Sequence, residues 1–315
     1  MEVRAPRGPL YTDIDGFRLS RYFSPELFRS ALQYKPRNDD VFIATYPKSG
    51  TTWLQHIGYL IFHDGVPPPN MLEFFKTTPF LEMFGAEDAV RMKRPGLIKT
   101  HLPYWLVPKS PEAKYVCVFR NPKDACVSYY YHTKGFAGYD FADGKFEDYF
   151  DIYVEGDNDF GEYFDHVLSW YAHRHDPNFL FLHYEELKAD PGPQILKLAS
   201  FLGKKYHRTL VEKPEVLERV IKFTSIEYMK ANTAVEMKKF MSEPLSSEEA
   251  ICPGLRAYHE NGRKYPRMTG FFRKGVVGGW KEHFTPEMNA RMEAKIYDRL
   301  AGTDFIDVWR RHGIL

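Results

Sequence analysis

The chain has few cysteines, almost no excess of charge of either sign and no long apolar run. Cys117, Cys126 and Cys252 are too few and too widely spaced for a disulfide framework or a zinc site. A formal net charge of +1 gives no broad basic surface for a nucleic acid, so any anion site must be a local concentration of Lys and Arg. The longest apolar stretch, 53–62, is interrupted by polar residues and too short to span a bilayer.

The first ten residues carry charge and proline but lack the apolar segment of a secretory signal. Together with the scarcity of cysteine, this predicts a reduced, cytoplasmic protein with no membrane or nucleic-acid partner. We expect no metal, because no Asp, Glu and His cluster has the spacing of a metal site. Aromatic residues, by contrast, make up 16% of the chain, which predicts a large aromatic core or a pocket for flat ligands.

Short apolar runs alternate with helical patterns along the 315 residues. The runs predict β-strands at 41–45, 96–99, 114–119 and 178–182, and the helical patterns lie at 51–62, 122–133, 160–174, 191–202 and 214–223. This alternation predicts an α/β fold with a central parallel β-sheet flanked by helices. No repeat or linker marks a boundary, so we expect a single domain over 1–315. Residues 64–96 and 231–270 are predicted as long loops, the second polar enough to be mobile.

The segment 46–53, which reads YPKSGTTW, joins the first predicted strand to the first predicted helix. It places a lysine, a glycine and three hydroxyl side chains at a helix start, where free N–H groups and the positive helix end attract an anion. The pattern is close to a Walker A loop, but Lys48 precedes Gly50 and the Gly-x4-Gly-Lys-Ser/Thr spacing is absent. The segment therefore predicts a P-loop-like site for phosphate or sulfate chemistry without the usual nucleoside triphosphate geometry.

Further candidates follow other predicted strands, at the edge of a parallel sheet where ligands bind. His101 lies beside Lys99 and could be a general base, because the ordinary pKa of histidine is near neutral; a histidine bonded structurally at a turn is the alternative. Arg120 and Ser128 lie at a strand end and about two turns into the following helix, so both could face one phosphate. The basic turn at 273–275 could hold a second phosphate, although a surface basic pair is more often only solvated.

These motifs together resemble the cytosolic sulfotransferase family. The matching segments occur in family order: TYPKSGTTW at 45–53, KTHLP at 99–103, RNPKDACVSYY at 120–130, YEE at 184–186 and RKGVVGGW at 273–280. The sequence is more similar to invertebrate or arthropod members than to vertebrate ones. The resemblance implies transfer of a sulfuryl group from 3′-phosphoadenosine 5′-phosphosulfate (PAPS) to a hydroxyl or amine, with 3′-phosphoadenosine 5′-phosphate (PAP) as product and no metal.

The resemblance also implies a role for each matching residue. His101 would be the catalytic base, assisted by Lys48 and Lys99. The implied contacts of the 5′-phosphate end are Lys48, Ser49, Gly50, Thr51 and Thr52, and those of the adenine are Trp53, Tyr184, Thr224 and Ser225. The implied contacts of the 3′-phosphate are Arg120, Ser128, Arg273, Lys274 and Gly275, with Phe272 beside them.

The acceptor is a small molecule that the sequence defines only by class. Aromatic residues from loops that line the family's acceptor pocket favour a phenol or a polyene alcohol over a sugar; they are Phe17, Phe23, Phe74, Phe75, Phe80, Phe84, Phe136 and Tyr139. Asp140 and Asp143 could instead meet a monoamine, although solvated loop carboxylates are the simpler interpretation. We therefore expect a phenol or a monoamine as the acceptor, with a retinoid- or steroid-like alcohol as the alternative.

Two other functions and the oligomeric state stay open at this point. A P-loop kinase would need a Gly-Lys-Ser/Thr loop and a magnesium-binding Asp, and we find neither. A non-catalytic nucleotide-binding protein that keeps the donor site is the other alternative. Family members often carry a dimer segment after the basic turn, but here it is altered by Pro286 and by Ala290 in place of glutamate. We therefore expect a monomer or a dimer with another interface.

Overall fold

The computed structural model describes residues 1–244, 252–266 and 272–315. Its strands are β1 Glu2–Arg4, β2 Leu10–Ile14, β3 Phe17–Leu19, β4 Val41–Ala44, β5 Ile98–Thr100, β6 Lys114–Phe119 and β7 Phe179–His183. Its α-helices are α1 Pro25–Leu32, α2 Thr51–Phe62, α3 Met71–Thr77, α4 Leu81–Val90, α5 Pro122–Gly135, α6 Phe146–Glu155, α7 Tyr163–Tyr171, α8 Tyr184–Ala189, α9 Pro191–Leu202, α10 Lys204–Glu212, α11 Pro214–Phe223, α12 Ile226–Tyr228, α13 Ala234–Ser242, α14 Pro253–Lys264, α15 Pro286–Arg299 and α16 Phe305–Arg311. Short 3₁₀ turns lie at Ala137–Tyr139 and Gly279–Glu282, and a π-helical turn lies at Met229–Thr233.

A four-stranded parallel sheet in the order β5-β4-β6-β7 forms the centre of the fold. The α/β architecture predicted from the sequence is therefore confirmed. The four predicted strands match β4 to β7 within two residues at either end, and three predicted helices coincide with α2, α9 and α11. A separate antiparallel sheet, β1-β2-β3, precedes this arrangement.

Each strand of the central sheet buries side chains on both of its faces. Phe42 and Tyr115 belong to a largely aromatic cluster that includes residues of α5, α6, α7 and α16. Ile43 and Val116, one position along, belong to a largely aliphatic cluster with residues of α2, α9 and α11. Burial on both faces explains why the strand sequences are continuous apolar runs rather than alternating ones.

The prediction of two long loops is wrong wherever the structure describes these residues. Residues 64–96 contain α3 and α4, and the described part of 231–270 contains α13 and α14; positions 245–251 and 267–270 lie outside the described residues. These helices depend on packing rather than on a strong local pattern. Phe74, Phe75 and Phe84 are buried, and Phe240 of α13 and Tyr258 of α14 pack against Phe75.

Two further boundaries differ from the sequence prediction for local reasons. The helix predicted from position 160 begins at Tyr163, because Phe160 and Gly161 both have positive φ, at 64° and 80°. Pro286 is the first residue of α15, a position that suits proline, and Thr285 caps that helix by accepting from the Met288 N–H. The oligomeric state stays a prediction. Within the described ranges, no helix is both long and apolar enough to cross a bilayer.

Gly254 offers a test of how α14 is attached, because a Cβ there would lie 2.1 Å from the carbonyl oxygen of Phe84. Gly254→Ala should therefore push α14 away from α4 and lower stability by about 1–3 kcal/mol, the usual cost of overpacking. Gly192→Ala is the matched control, since the nearest atom to its Cβ would be 3.8 Å away. Urea or thermal unfolding measures both variants; equal stability in the two would contradict the close packing of α14 on α4.

Candidate active site

A cavity of about 390 Å³ opens beyond the carboxyl ends of β4, β5 and β6. This edge of a parallel sheet is where ligands bind in α/β folds. Segments far apart in the sequence line it: the 46–53 loop, the end of β5, helix α5, and the stretches around 224 and 273. The motifs singled out in the sequence therefore meet in one place.

The lysine-first loop leads from β4 into α2 with unusual backbone geometry. Lys48 has φ 68° and Gly50 has φ 102°, so both adopt the left-handed region. For Lys48 this conformation costs about 1–3 kcal/mol, and its carbonyl is held by Arg120 Nη1 at 3.1 Å. Gly50 also lies against Tyr184, because a Cβ at position 50 would be 2.9 Å from Cδ2 of that ring. Glycine is thus required at position 50 for two separate reasons.

The start of α2 is suited to an anion. Gly50 is its N-cap and provides no side chain to accept from the first N–H groups of the helix. These N–H groups and the positive helix end attract a negative group. Lys48, Thr51 and Thr52 line the cavity here, whereas Ser49 is 1% exposed and does not border it. The Ser49 hydroxyl is nevertheless a buried polar group without a hydrogen-bond partner among the described residues.

Arg120 and Arg273 form a second cationic region of the cavity wall. Burial lowers the pKa of Arg273, and the nearby charge of Arg120 lowers it further. Arg120 Nε and Arg273 Nη1 are buried and have no hydrogen-bond partner in the part of the chain that the structure describes. A buried and a half-buried guanidinium group with donors to spare are compatible with a bound dianion such as a phosphate.

The turn after Arg273 is fixed by a carboxylate of α5. Asp124 accepts from the N–H groups of Gly278 and Trp280, at 2.8 and 3.0 Å. Gly275 and Phe272 line the cavity together with Arg273. Lys274, in contrast, does not line it and pairs with Glu282 at the surface, at 2.5 Å. The sequence placed Lys274 at the 3′-phosphate, but the structure directs its ammonium group elsewhere.

Between the two cationic regions lies a wall suited to a flat base. The rings of Trp53 and Tyr184 are 5.6 Å apart in an edge-to-face arrangement. Thr224 and Ser225 border the same cavity, as does Ser128 from α5. Every one of the residues assigned to the adenine from the sequence therefore lines the cavity.

His101 is held in one tautomer by the backbone. Its Nδ1 lies 2.8 Å from the carbonyl oxygen of Thr45, which can only accept, so Nδ1 carries the proton and Nε2 is left basic. The residue is 7% exposed and lines the cavity. Burial, and next the charge of Lys99, hold the pKa of His101 well below its ordinary value. The imidazole is therefore neutral at physiological pH and able to accept a proton.

Lys99 lies beside this base on β5. Its Nζ is 3.9 Å from the centre of the Phe80 ring. Burial lowers the pKa of Lys99 to about 8, and the negative charge of Glu82 opposes that shift. The ammonium group is thus mostly charged at neutral pH but titrates within reach of physiological conditions.

His132 is a cavity residue that the sequence analysis missed. It lies one helical turn after Ser128 on α5, and its Nδ1 is 3.4 Å from Lys48 Nζ. The i, i+4 spacing from Ser128 was the available signal, because residues four apart share one face of a helix. His132 also packs on Phe136, at 4.6 Å between ring centres.

The opposite end of the cavity is largely apolar. Of the aromatic residues that the sequence assigned to the acceptor, seven line it: Phe23, Phe74, Phe75, Phe80, Phe84, Phe136 and Tyr139. Phe17 does not: it stacks on Phe28 and borders a separate surface pocket, so its assignment to the acceptor is corrected. The sequence analysis missed Met83, Phe160, Met237 and Tyr258, which also line the cavity.

Comparisons with known proteins agree with this geometry. Residues 38–304 match the family model described as a sulfotransferase domain. The chain is 33% identical over 280 residues to Sulfotransferase 1E1 of Cavia porcellus, which covers 86% of each chain. Mouse sulfotransferase SULT7A1 complexed with PAP has a TM-score of 0.71 at 24% identity, covering 96% of this chain and 98% of that chain. Retinol dehydratase in complex with androsterone and inactive cofactor PAP has a TM-score of 0.70 at 25% identity, covering 94% and 90%.

The chain therefore belongs to the sulfotransferase family. It is a PAPS-dependent sulfotransferase, as its motifs predicted. The greater likeness to invertebrate or arthropod members and the extent of the domain over 1–315 stay predictions. Among the described residues, no group of three or more His, Cys, Asp or Glu side chains could hold a metal ion.

The different positions of Arg273 and Lys274 predict different effects on nucleotide binding. Arg273→Ala should weaken PAP binding by roughly 10–100-fold, because charge-assisted hydrogen bonds contribute about 1.5–3 kcal/mol each. Lys274→Ala should change it by less than about threefold, since an exposed ion pair contributes little. Titration calorimetry with PAP measures both constants. Equal losses in the two variants would show that Arg273 has no special place in the site.

Proposed function

We propose that this protein transfers a sulfuryl group from PAPS to the hydroxyl of a neutral aromatic or elongated apolar acceptor, with His101 as general base. The observation that carries the proposal is the tautomer of His101, which leaves Nε2 basic. His101 lines the cavity together with the cationic residues Lys48, Lys99 and Arg120 and with the aromatic wall. A non-catalytic nucleotide-binding protein would not need a buried, neutral imidazole at this place.

The donor supplies an activated sulfuryl group, and the residues of this chain bind and orient it. The start of α2, Lys48, Thr51 and Thr52 would hold the 5′-phosphosulfate end. Arg120, Ser128 and Arg273 would hold the 3′-phosphate, with Trp53, Tyr184, Thr224 and Ser225 around the adenine. The buried donors without partners on Ser49, Arg120 and Arg273 support this placement. Such positioning supplies much of the catalysis in transfers of this type.

His101 would take the proton of the acceptor hydroxyl as its oxygen attacks the sulfur. General base catalysis of this kind contributes roughly 10²–10⁴-fold in rate. Lys48 and Lys99 would stabilise the negative charge that develops on the transferred group and on the leaving phosphate oxygen. Partial burial of these side chains makes the interactions stronger than they would be in bulk water.

The charges around the acceptor end favour a neutral substrate over a protonated amine. Among described residues that line the cavity, the single carboxylate is that of Glu227, which lies beside Ser225 on the nucleotide side. Asp140 does not line the cavity and pairs with Arg4 at the surface. Among the described residues a monoamine would therefore find no counter-charge at the acceptor end, whereas phenols and retinoid- or steroid-like alcohols suit the aromatic wall. Androsterone bound to the related retinol dehydratase supports the alcohol alternative.

A cytoplasmic location is part of this proposal. Cys117, Cys126 and Cys252 are all free in the structure, as expected of a protein kept in a reducing compartment.

An acceptor panel tests the function directly. Transfer of ³⁵S-labelled sulfate from PAPS should be seen with 2-naphthol, 4-nitrophenol, retinol or androsterone, and should be at least about tenfold weaker in kcat/KM with tyramine or dopamine at pH 7 because an unpaired ammonium is costly to bury. His101→Ala should lower kcat by roughly 10²–10⁴-fold while keeping PAP affinity. PAP binding without turnover on any acceptor would favour the non-catalytic alternative, and full activity of His101→Ala would remove His101 as base.

The pH dependence of kcat should report on the protonation of Lys99. Because its pKa lies at about 8 and the charged form is the useful one, kcat should fall as the pH rises through 8. On the acid side, kcat should persist below pH 6.5, since the pKa of His101 is held well below that value and the neutral form is the base. Lys99→Arg should move the basic limb to higher pH, because guanidinium stays charged. An unmoved basic limb in that variant would assign the titration to another group.

A further inference from the structure

A buried carboxylate, that of Glu82, contacts the end of β5 but does not line the cavity. Glu82 is the second residue of α4 and is 0% exposed. Its Oε1 accepts from the Thr100 hydroxyl at 2.9 Å and from the His101 N–H at 2.5 Å. One oxygen atom therefore fixes two consecutive residues at the end of β5, and the second of them is the proposed base.

The residues just before Glu82 contact Lys99, which precedes Thr100 and His101 in the sequence. The Lys99 N–H donates to the carbonyl of Pro79 at 2.8 Å, and the Lys99 ammonium lies over the Phe80 ring. The Phe80 ring also meets the His101 ring edge to face, at 5.2 Å between centres. The stretch 79–82 thus touches Lys99, Thr100 and His101 in turn, while Phe80 itself lines the cavity.

The second carboxylate oxygen of Glu82 is not used by a hydrogen bond within the described residues. Oε2 is buried and has no hydrogen-bond partner there. A buried acid is costly unless its charge is used, so a purely structural clamp would be served as well by a neutral glutamine. Burial raises the pKa of Glu82 to about 7, and the charged form raises the pKa of Lys99.

We propose that Glu82 is a positioning residue for sulfuryl transfer: through its hydrogen bonds to Thr100 and His101 it holds the end of β5 in register, beside the Lys99 ammonium. The inference rests on the proposed roles of His101 and Lys99. Other charged or titratable groups face these two residues as well. Lys48 of the 46–53 loop and His166 of α7 both lower the pKa of His101, and the His166 imidazole also contacts its carbonyl oxygen.

Two substitutions separate the two parts of this role. Glu82→Gln keeps an oxygen that can accept from Thr100 and His101 but removes the charge, whereas Glu82→Ala removes both. Asp88→Asn is the matched control, because Asp88 is a buried acid of the same helix that accepts from the N–H groups of Gly254 and Leu255 and does not touch β5. Thermal unfolding and PAP affinity are measured on every variant beside kcat and KM.

With PAPS and the best acceptor of the panel, kcat should fall about tenfold in Glu82→Gln and about 100-fold in Glu82→Ala, as for other misplaced catalytic groups. PAP affinity and the KM for PAPS should stay within about twofold of the wild type, because the substitutions leave the residues assigned to the nucleotide unchanged. The basic limb of the kcat profile should move to lower pH in Glu82→Gln, since Lys99 loses the charge that raises its pKa. Asp88→Asn should leave kcat and that limb unchanged.

The inference is overturned if Glu82→Gln matches Asp88→Asn in both kcat and pH profile, or if its loss of kcat is matched by an equal loss of PAP affinity. Failure of the proposed function looks different, because His101→Ala and Lys99→Arg would then behave like the wild type. If Glu82→Ala does not fold, Glu82→Gln still decides between the two outcomes.

Discussion

Positive charge held away from water around one cavity is the constraint on which the rest of the site depends. Arg120 lies close enough to Arg273 to lower its pKa. Burial lowers the pKa of Lys99. Such groups are costly to bury unless an anion or a carboxylate compensates them. The surrounding structure can be understood as the means of holding them in place until a polyanionic nucleotide binds.

Those means are mostly hydrogen bonds that backbone N–H groups donate to buried acids. Asp124 fixes the turn at 278–280, and Glu82 fixes the end of β5. Glu185 accepts from the N–H and side-chain amide of Asn121, at the point where β6 leads into α5. None of these three acids lines the cavity, so each holds neighbouring residues in place from outside its lining.

The central sheet and the anion site at the 46–53 loop could be predicted from the sequence, because both obey local rules. Continuous apolar runs identify strands buried on two faces, and a lysine, glycine and hydroxyl groups at a helix start identify an anion site. Helices α13 and α14 were missed because their stability comes from contacts with α3 and α4, which lie far away in the sequence. Glu82 was missed for a related reason: its partners are a backbone N–H and a hydroxyl, and no sequence pattern indicates such contacts. His132 differs, because its spacing from Ser128 was a usable signal.

The contact between Gly50 and Tyr184 has a consequence for how this site can change. Any side chain at position 50 would clash with the ring of Tyr184. The 46–53 loop and the wall assigned to the adenine therefore constrain each other. Altered nucleotide selectivity would require paired substitutions on both. The acceptor wall is built differently, since Met237 and Tyr258 come from α13 and α14, which pack on α3 and α4. Substrate range can therefore diverge one residue at a time while the donor stays the same.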